Sequence, residues 1–149
     1  MKLKTLDELN HQTQPCKSSC YATCIAMALG VEVGDLIKEI LEEAGLEPPH
    51  SNREIIPFLV RRNIYPEKLD GIMRIPLIDN CPLLITTLSK NNIQQLHCVL
   101  VYHSDEFDNF VLLDPCEGRE NSKHYTDQEW LDGEVPIYEM VALYDCDVS

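Results

Sequence analysis

The sequence predicts an α+β fold, in which a helical N-terminal half packs on an antiparallel sheet made by the C-terminal half. Residues 20–62 carry apolar side chains at helical spacing, with breaks at Gly30 and Gly45. Residues 82–144 instead carry short runs of β-branched and aromatic residues between polar segments. A chain of 149 residues with 44% hydrophobic residues is sufficient for a single domain with its own core, which we expect to have two lobes.

The first predicted helix is the most apolar segment of the chain. Residues 1–13 are polar and predict a lead-in with at most one helical turn. A helix follows over residues 20–29, with Ser18 or Ser19 as its N-cap and Gly30 at its end. Because this helix is apolar on nearly every face, we expect it to lie at the centre of the fold.

Two further helices are expected before the sheet. Residues 33–44 (VGDLIKEILEEA) place leucine and isoleucine at helical spacing. Ser51 or Asn52 is expected to cap a third helix that continues to about Arg62, with Pro57 near its first turns, where proline is tolerated.

The second half predicts strands and one short helix. The expected strands cover residues 82–87, 98–103, 109–113 and 137–144. The polar residues 104–108 indicate a hairpin turn between the second and third of these strands. Thr126 is expected to cap a short helix that continues to Leu131.

Composition excludes several classes of partner. The chain has 12 basic and 25 acidic residues, a net charge of −13, and no basic run that would neutralise phosphates, so we expect no nucleic acid. The apolar stretch over residues 21–31 is too short to cross a bilayer, so we expect no membrane. Seven cysteines without a signal-like N-terminus favour a reducing compartment, and we expect a cytoplasmic protein.

Cys20 is the candidate nucleophile. It lies in the first turn of the predicted central helix, where the free N–H groups and the helix dipole stabilise a thiolate. Gln14, six residues upstream, offers a side-chain N–H to the same oxyanion that attack by Cys20 would generate.

His97 and Asp114 are the candidate partners of Cys20. His97 begins a predicted strand, and Asp114 follows the next strand, directly before Pro115. If the two strands form a hairpin, both residues lie at its open end, and neighbouring strands are only about 4.8 Å apart. A contact between carboxylate and imidazole is therefore expected there.

The residues around Cys20 resemble the active-site stretch of the papain family. The match consists of Gln14, five residues and Cys20, within the run Ser19-Cys20-Tyr21-Ala22. The small size and the second half are more similar to the double-glycine leader peptidases of bacteriocin exporters. The matching residues are Gln14, Cys20, Ala26-Met27, His97-Cys98-Val99-Leu100-Val101, Asp114-Pro115, Gly118, and Tyr125-Thr126 with Trp130.

This resemblance implies a papain-like fold and a cysteine hydrolase that acts on a peptide or protein substrate without cofactor or metal. It implies that Gln14 holds the oxyanion, Cys20 is the nucleophile, His97 is the general base and acid, and Asp114 orients His97. Leader peptidases usually carry glycine after the nucleophile, and this chain has Tyr21 there. Tyr21 makes a silent binding module on the same fold an alternative. A deamidase or an acyl transferase is a further alternative, because the same triad can run these reactions with another second nucleophile or leaving group.

Other polar residues are weaker candidates for the catalytic roles, or are expected to take no part in the site. His103 is the rival of His97, but we expect it on the surface near the turn. Gln12 is the rival of Gln14, and the spacing to Cys20 favours Gln14. His11, His50 and His124 lie in polar surroundings and are expected to be exposed.

The remaining cysteines are expected to fill space in the core, as cysteine commonly does. These are Cys24, Cys81, Cys98 and Cys146. A zinc site on a helical face formed by Cys16, Cys20 and Cys24 is a minor alternative, because the sequence lacks the second pair of ligands that structural zinc sites use.

Overall fold

Helices and strands are segregated along the chain in the computed structural model, which confirms the predicted α+β class. The structure describes residues 2–69, 81–88, 96–104, 109–115 and 137–145. A 3-10 turn at Leu6–Glu8 precedes three helices: α1 (Cys20–Leu29), α2 (Val33–Ala44) and α3 (Asn52–Val60). Five strands follow: β1 (Ile64–Lys68), β2 (Leu83–Leu88), β3 (Leu96–Ser104), β4 (Asn109–Leu113) and β5 (Ile137–Asp145).

The first two helices end where the sequence predicts. Gly30 and Gly45 adopt left-handed φ angles of 70° and 68°, a conformation that other residues rarely adopt, and they end α1 and α2. Ser51 caps α3 in a reciprocal arrangement, because its hydroxyl accepts from the Glu54 N–H and the Glu54 carboxylate accepts from the Ser51 N–H. α3 ends at Val60, two residues earlier than predicted.

The sheet is antiparallel throughout its described pairings, with the strand order β1-β5-β2-β3-β4. β3 and β4 form the predicted hairpin, in which Ser104 pairs with Asn109 at the turn end and Leu100 with Leu113 nearer the open end. β1 was not predicted, because Pro66 and the charged residues beside it suppress the strand pattern. As an edge strand, β1 tolerates the missing N–H of proline.

α1 is the central helix, as predicted. Every residue from Tyr21 to Leu29 is buried, and α1 packs on the sheet face that carries Leu84, Leu100 and Val141. A second buried cluster on the sheet consists of Cys81, Leu83, Ile85, Val99, Val101, Leu112, Met140 and Ala142.

Among the described residues, no single helix is both long and apolar enough to cross a bilayer; α1 and α2 reach that length only together, across a bend of 107°. Several predictions lie outside the described residues: the short helix from Thr126 to Leu131, and the surroundings of Cys116, His124 and Cys146.

Candidate active site

Cys20 is the first residue of α1 and is half-buried at its N-terminus. Ser19 occupies the predicted N-cap position but makes no side-chain cap there. Its hydroxyl instead accepts from the N–H of Cys16 at 3.1 Å and donates to the carbonyl of Cys16 at 2.9 Å. These two bonds fix the turn that leads into α1. They leave the N–H groups of the first helical turn unoccupied by the Ser19 side chain, as a thiolate at that end requires.

The open end of the β3–β4 hairpin joins His97 to Asp114. Nε2 of His97 lies 2.7 Å from Oδ1 of Asp114, and both side chains are largely buried. His97 is the second residue of β3, and Asp114 directly follows β4. The hairpin register therefore produces the expected imidazole–carboxylate contact.

The electrostatics of Cys20 and His97 favour an ion pair. Burial opposes the charge on His97, yet Asp114 and Cys20 together raise its pKa to about 10. Burial likewise opposes a thiolate at Cys20, but the hydrogen bond with His97, the N–H of Cys98 and the His97 charge lower its pKa overall. Because Nε2 of His97 is bound to Asp114, Nδ1 is the ring nitrogen left for Cys20.

The lead-in segment ties Gln14 to the residues around Asp114. The backbone N–H of Gln14 donates to the Pro115 carbonyl at 2.8 Å, and Nε2 of His11 lies 2.6 Å from the Asp114 carbonyl. The side-chain Nε2 of Gln14 donates to the Cys16 carbonyl at 2.8 Å. The amide thus lies at the turn before Cys20, and its second N–H is left for another acceptor.

Gln12, the rival of Gln14, lies at the connection between α1 and α2. Its Nε2 donates to the Val31 carbonyl at 2.6 Å, and its Oε1 accepts from the Val33 N–H at 2.9 Å. Both polar atoms of the amide are therefore occupied in holding this connection. This is a structural role, and it agrees with the spacing argument that favoured Gln14.

A cleft of about 380 Å³ opens beside Cys20 and His97. His50 and Asn52, at the start of α3, line it, and both are buried. Sequence reasoning missed these two residues because the polar segment around His50 predicts exposure. That prediction is wrong, since the side chain is 7% exposed.

Two other histidine predictions are also corrected. His103 lies at the far end of β3 from His97 but is buried, not on the surface. Val101, two residues earlier and therefore on the same face of β3, belongs to the second buried cluster, so the core on that face extends to His103. His11 is partly buried, because its ring binds the Asp114 carbonyl.

The described cysteines separate into core and site residues. Cys24, Cys81 and Cys98 are buried, as predicted. Cys16 is exposed and precedes α1, so it does not share a helical face with Cys20 and Cys24. Within the described part of the chain, no group of three or more His, Cys, Asp or Glu side chains is arranged to hold a metal ion.

Comparisons with known proteins add nothing to this geometry: no family model matches the chain, and no curated protein matches it.

Proposed function

We propose that this chain is a papain-like cysteine hydrolase that cleaves peptide or isopeptide bonds through a thioester at Cys20. The observation that carries the proposal is the chain of interactions from Cys20 through His97 to Asp114. A nucleophile at a helix N-terminus, an imidazole beside it and a carboxylate behind the imidazole are the parts that thiol catalysis needs.

The mechanism follows from the roles of these groups. The thiolate of Cys20 attacks the acyl carbon, and the oxyanion accepts hydrogen bonds from the Cys20 N–H and the free N–H of Gln14. Protonated His97 gives its Nδ1 proton to the leaving amine, which departs and leaves a thioester. Neutral His97 then removes a proton from water, and the resulting attack releases the acid and restores Cys20. Asp114 keeps the ring oriented and stabilises its charged form.

A silent binding module is the second candidate, and one observation favours it. The Gln14 amide already donates to the Cys16 carbonyl, so part of its donor capacity is used within the turn.

Deamidation or acyl transfer would use the same Cys20–His97 pair and would differ only in the leaving group or the second nucleophile.

Alkylation by iodoacetamide between pH 4 and pH 9, mapped by mass spectrometry, tests the proposal. We expect Cys20 to react with an apparent pKa well below the ordinary ~8.5, and His97→Ala to slow it about tenfold or more at neutral pH. His103→Gln, at the far end of the same strand, is the matched control and should leave the Cys20 profile unchanged.

Cys16 provides an internal reference in every sample. Its pKa is lowered by hydrogen bonds from Ser18 and Ser19, and His97 is not among the causes. The rate at Cys16 should therefore not respond to His97→Ala. If Cys20 is alkylated no faster than Cys16 at pH 6, or if its rate is unchanged in His97→Ala, the binding module is favoured instead.

A further inference from the structure

His50 has a buried ring whose hydrogen-bonding capacity is only partly used by the described residues. Neither Nδ1 nor Nε2 makes a hydrogen bond of good geometry with any described residue, although the side chain is more than nine-tenths buried. Burial lowers the pKa of His50, against opposing effects of the Leu46 carbonyl and Glu54, so the ring is neutral at pH 7. A neutral imidazole carries one donor and one acceptor. The Leu46 carbonyl lies where it can accept from the ring N–H. Buried polar groups in native proteins normally have partners, so the second ring nitrogen, an acceptor without a described partner, indicates a ligand.

Asn52 is held beside His50 by the nucleophile helix. The hydroxyl of Tyr21 donates to Oδ1 of Asn52 at 3.2 Å, and both side chains are buried. Tyr21 directly follows Cys20, so this bond fixes the start of α3 relative to the nucleophile. It also orients the Asn52 amide, whose Nδ2 is left to donate. This gives a role to the tyrosine that stands where leader peptidases usually have glycine.

The walls of the cleft disfavour an anionic ligand. Among the described residues that line it, none is Lys or Arg, and Glu139 contributes a carboxylate. Leu96 and Tyr138, also on its walls, are 48% and 71% exposed and offer apolar surface. An uncharged polypeptide segment fits this lining better than a carboxylate or a phosphate does.

We propose that His50 and Asn52 form a subsite that binds a main-chain amide of a polypeptide substrate without acidic side chains, next to the scissile bond at Cys20. The inference rests on the proposed function and names its substrate class. The His50 ring accepts from a peptide N–H, and Nδ2 of Asn52 donates to a peptide carbonyl. His50 positions the substrate and takes no part in the transfer of protons at Cys20.

Tripeptidyl acyloxymethyl ketones test this subsite, because they alkylate a catalytic thiol only after their peptide part has bound. A set of uncharged sequences is compared with analogues in which one internal peptide bond at a time is replaced by an ester. In the wild type, one ester position should lower the second-order rate at Cys20 about tenfold, the effect of one lost hydrogen bond. In His50→Leu the peptide and ester probes should react equally.

Three further samples separate a recognition role from a structural one. His50→Gln keeps one donor and one acceptor and should recover most of the preference for the peptide. Tyr21→Phe should weaken that preference, because Asn52 loses its tether. Arg53→Gln, on the exposed side of the same helical turn as Asn52, should behave as the wild type does. Alkylation by iodoacetamide, which needs no subsite, reports whether the thiolate of each variant is intact.

The outcomes distinguish this inference from the proposed function. If His50→Leu still reacts more slowly with the ester probe than with the peptide probe, the amide subsite is wrong. The same holds if probes with a Glu side chain react fastest. In either case the Cys20–His97 pair stands. If no peptidyl ketone labels wild-type Cys20 faster than a ketone without a peptide, the substrate class is overturned. If Cys20 also fails to show a lowered pKa with iodoacetamide, the hydrolase proposal itself fails.

Discussion

Nε2 of His97 lies 2.7 Å from Oδ1 of Asp114, across the open end of the β3–β4 hairpin. The contact fixes one ring nitrogen as the donor to a carboxylate and leaves Nδ1 for Cys20. It also offsets the burial of the ring, so the pKa of His97 is raised to about 10. One carboxylate thus determines both the orientation and the charge of the imidazole.

Replacing Asp114 with Asn tests this relationship, because the amide oxygen still accepts a hydrogen bond but carries no charge. We expect the pKa of His97 to fall well below about 10, since Asp114 supplies both a hydrogen bond and a charge that raise it. The alkylation of Cys20 at pH 8 should slow about tenfold as the imidazolium is lost. Titration of the His97 ring by NMR measures the first effect directly. Asp7→Asn, an exposed carboxylate in the N-terminal turn, is the control. An unchanged His97 pKa in Asp114→Asn would contradict the prediction.

The Cys20–His97 pair also makes the stability of the fold depend on pH. The pKa of His97 is raised from 6.5 to about 10, so its contribution is complete below pH 6.5 and is lost as the pH rises through about 10. The pKa of Cys20 is lowered from 9.0, so its contribution is present above pH 9.0 and is lost as the pH falls through the folded value. Below pH 9.0, and above both 6.5 and the folded pKa of Cys20, the folded pair and the unfolded chain each hold one proton, so the contribution is level there.

A double-mutant cycle with Cys20→Ser and His97→Gln isolates this contribution. Urea unfolding at pH 5, 8 and 11 should give a coupling free energy on the order of 1–3 kcal/mol at pH 8 and a smaller value at pH 11, where His97 has lost its proton. Other groups that titrate over this range cancel in the cycle. A coupling that is the same at all three pH values would indicate packing between the two side chains rather than an ion pair.

Arg62 stabilises the packing of α3 against α2, at a distance from the site. Its guanidinium donates to the carboxylates of Glu39 and Glu43 and lies 3.5 Å from the ring centroid of Phe58. The side chain is 15% exposed, so these contacts are only partly screened by water. We expect Arg62→Ala to lower the free energy of unfolding by about 1–2 kcal/mol.

Arg61 is the matched control for this prediction. It pairs with the same Glu43 at 2.7 Å, but its side chain is 59% exposed. Arg61→Ala should therefore change the free energy of unfolding by less than about 0.5 kcal/mol. Equal losses in the two variants, measured by urea unfolding, would show that the ion pairs rather than the buried cation–π contact carry the effect.

Most of the fold was predictable because its signals are local. α1 and α2 have the predicted bounds, since a glycine with positive φ ends each helix and the apolar spacing defines the rest. β4 also has the predicted bounds, between a polar turn and Asp114. β1 was missed because its identity as a strand comes from pairing with β5, which is distant in sequence, and Pro66 hides the local pattern.

The site was predictable only where its residues lie at the ends of predicted elements. Cys20 begins a helix, and His97 and Asp114 lie at the ends of paired strands, so their proximity follows from the hairpin. His50 lies in a polar connection between two helices, where nothing local indicates burial. Its position depends on where tertiary contacts place the start of α3, including the hydrogen bond from Tyr21 of α1 to Asn52, and no short sequence pattern encodes such contacts.

Gln12 and Gln14 are two residues apart, but replacing each with Ala should affect a different property: stability for Gln12 and turnover for Gln14. Gln14→Ala should lower the rate at which Cys20 turns over an amide substrate or a chromogenic ester by about 10²–10³, because the oxyanion loses a donor. Its melting temperature should change little, since the Gln14 side chain bonds only to the Cys16 carbonyl among the described residues. Gln12→Ala should instead lower the free energy of unfolding by about 1–2 kcal/mol, because the Val31 carbonyl and the Val33 N–H both lose their partner. Its pH profile of Cys20 alkylation should match that of the wild type.

If Gln14→Ala leaves turnover intact while Gln12→Ala abolishes it at a temperature where both variants are folded, the oxyanion donor has been assigned to the wrong glutamine.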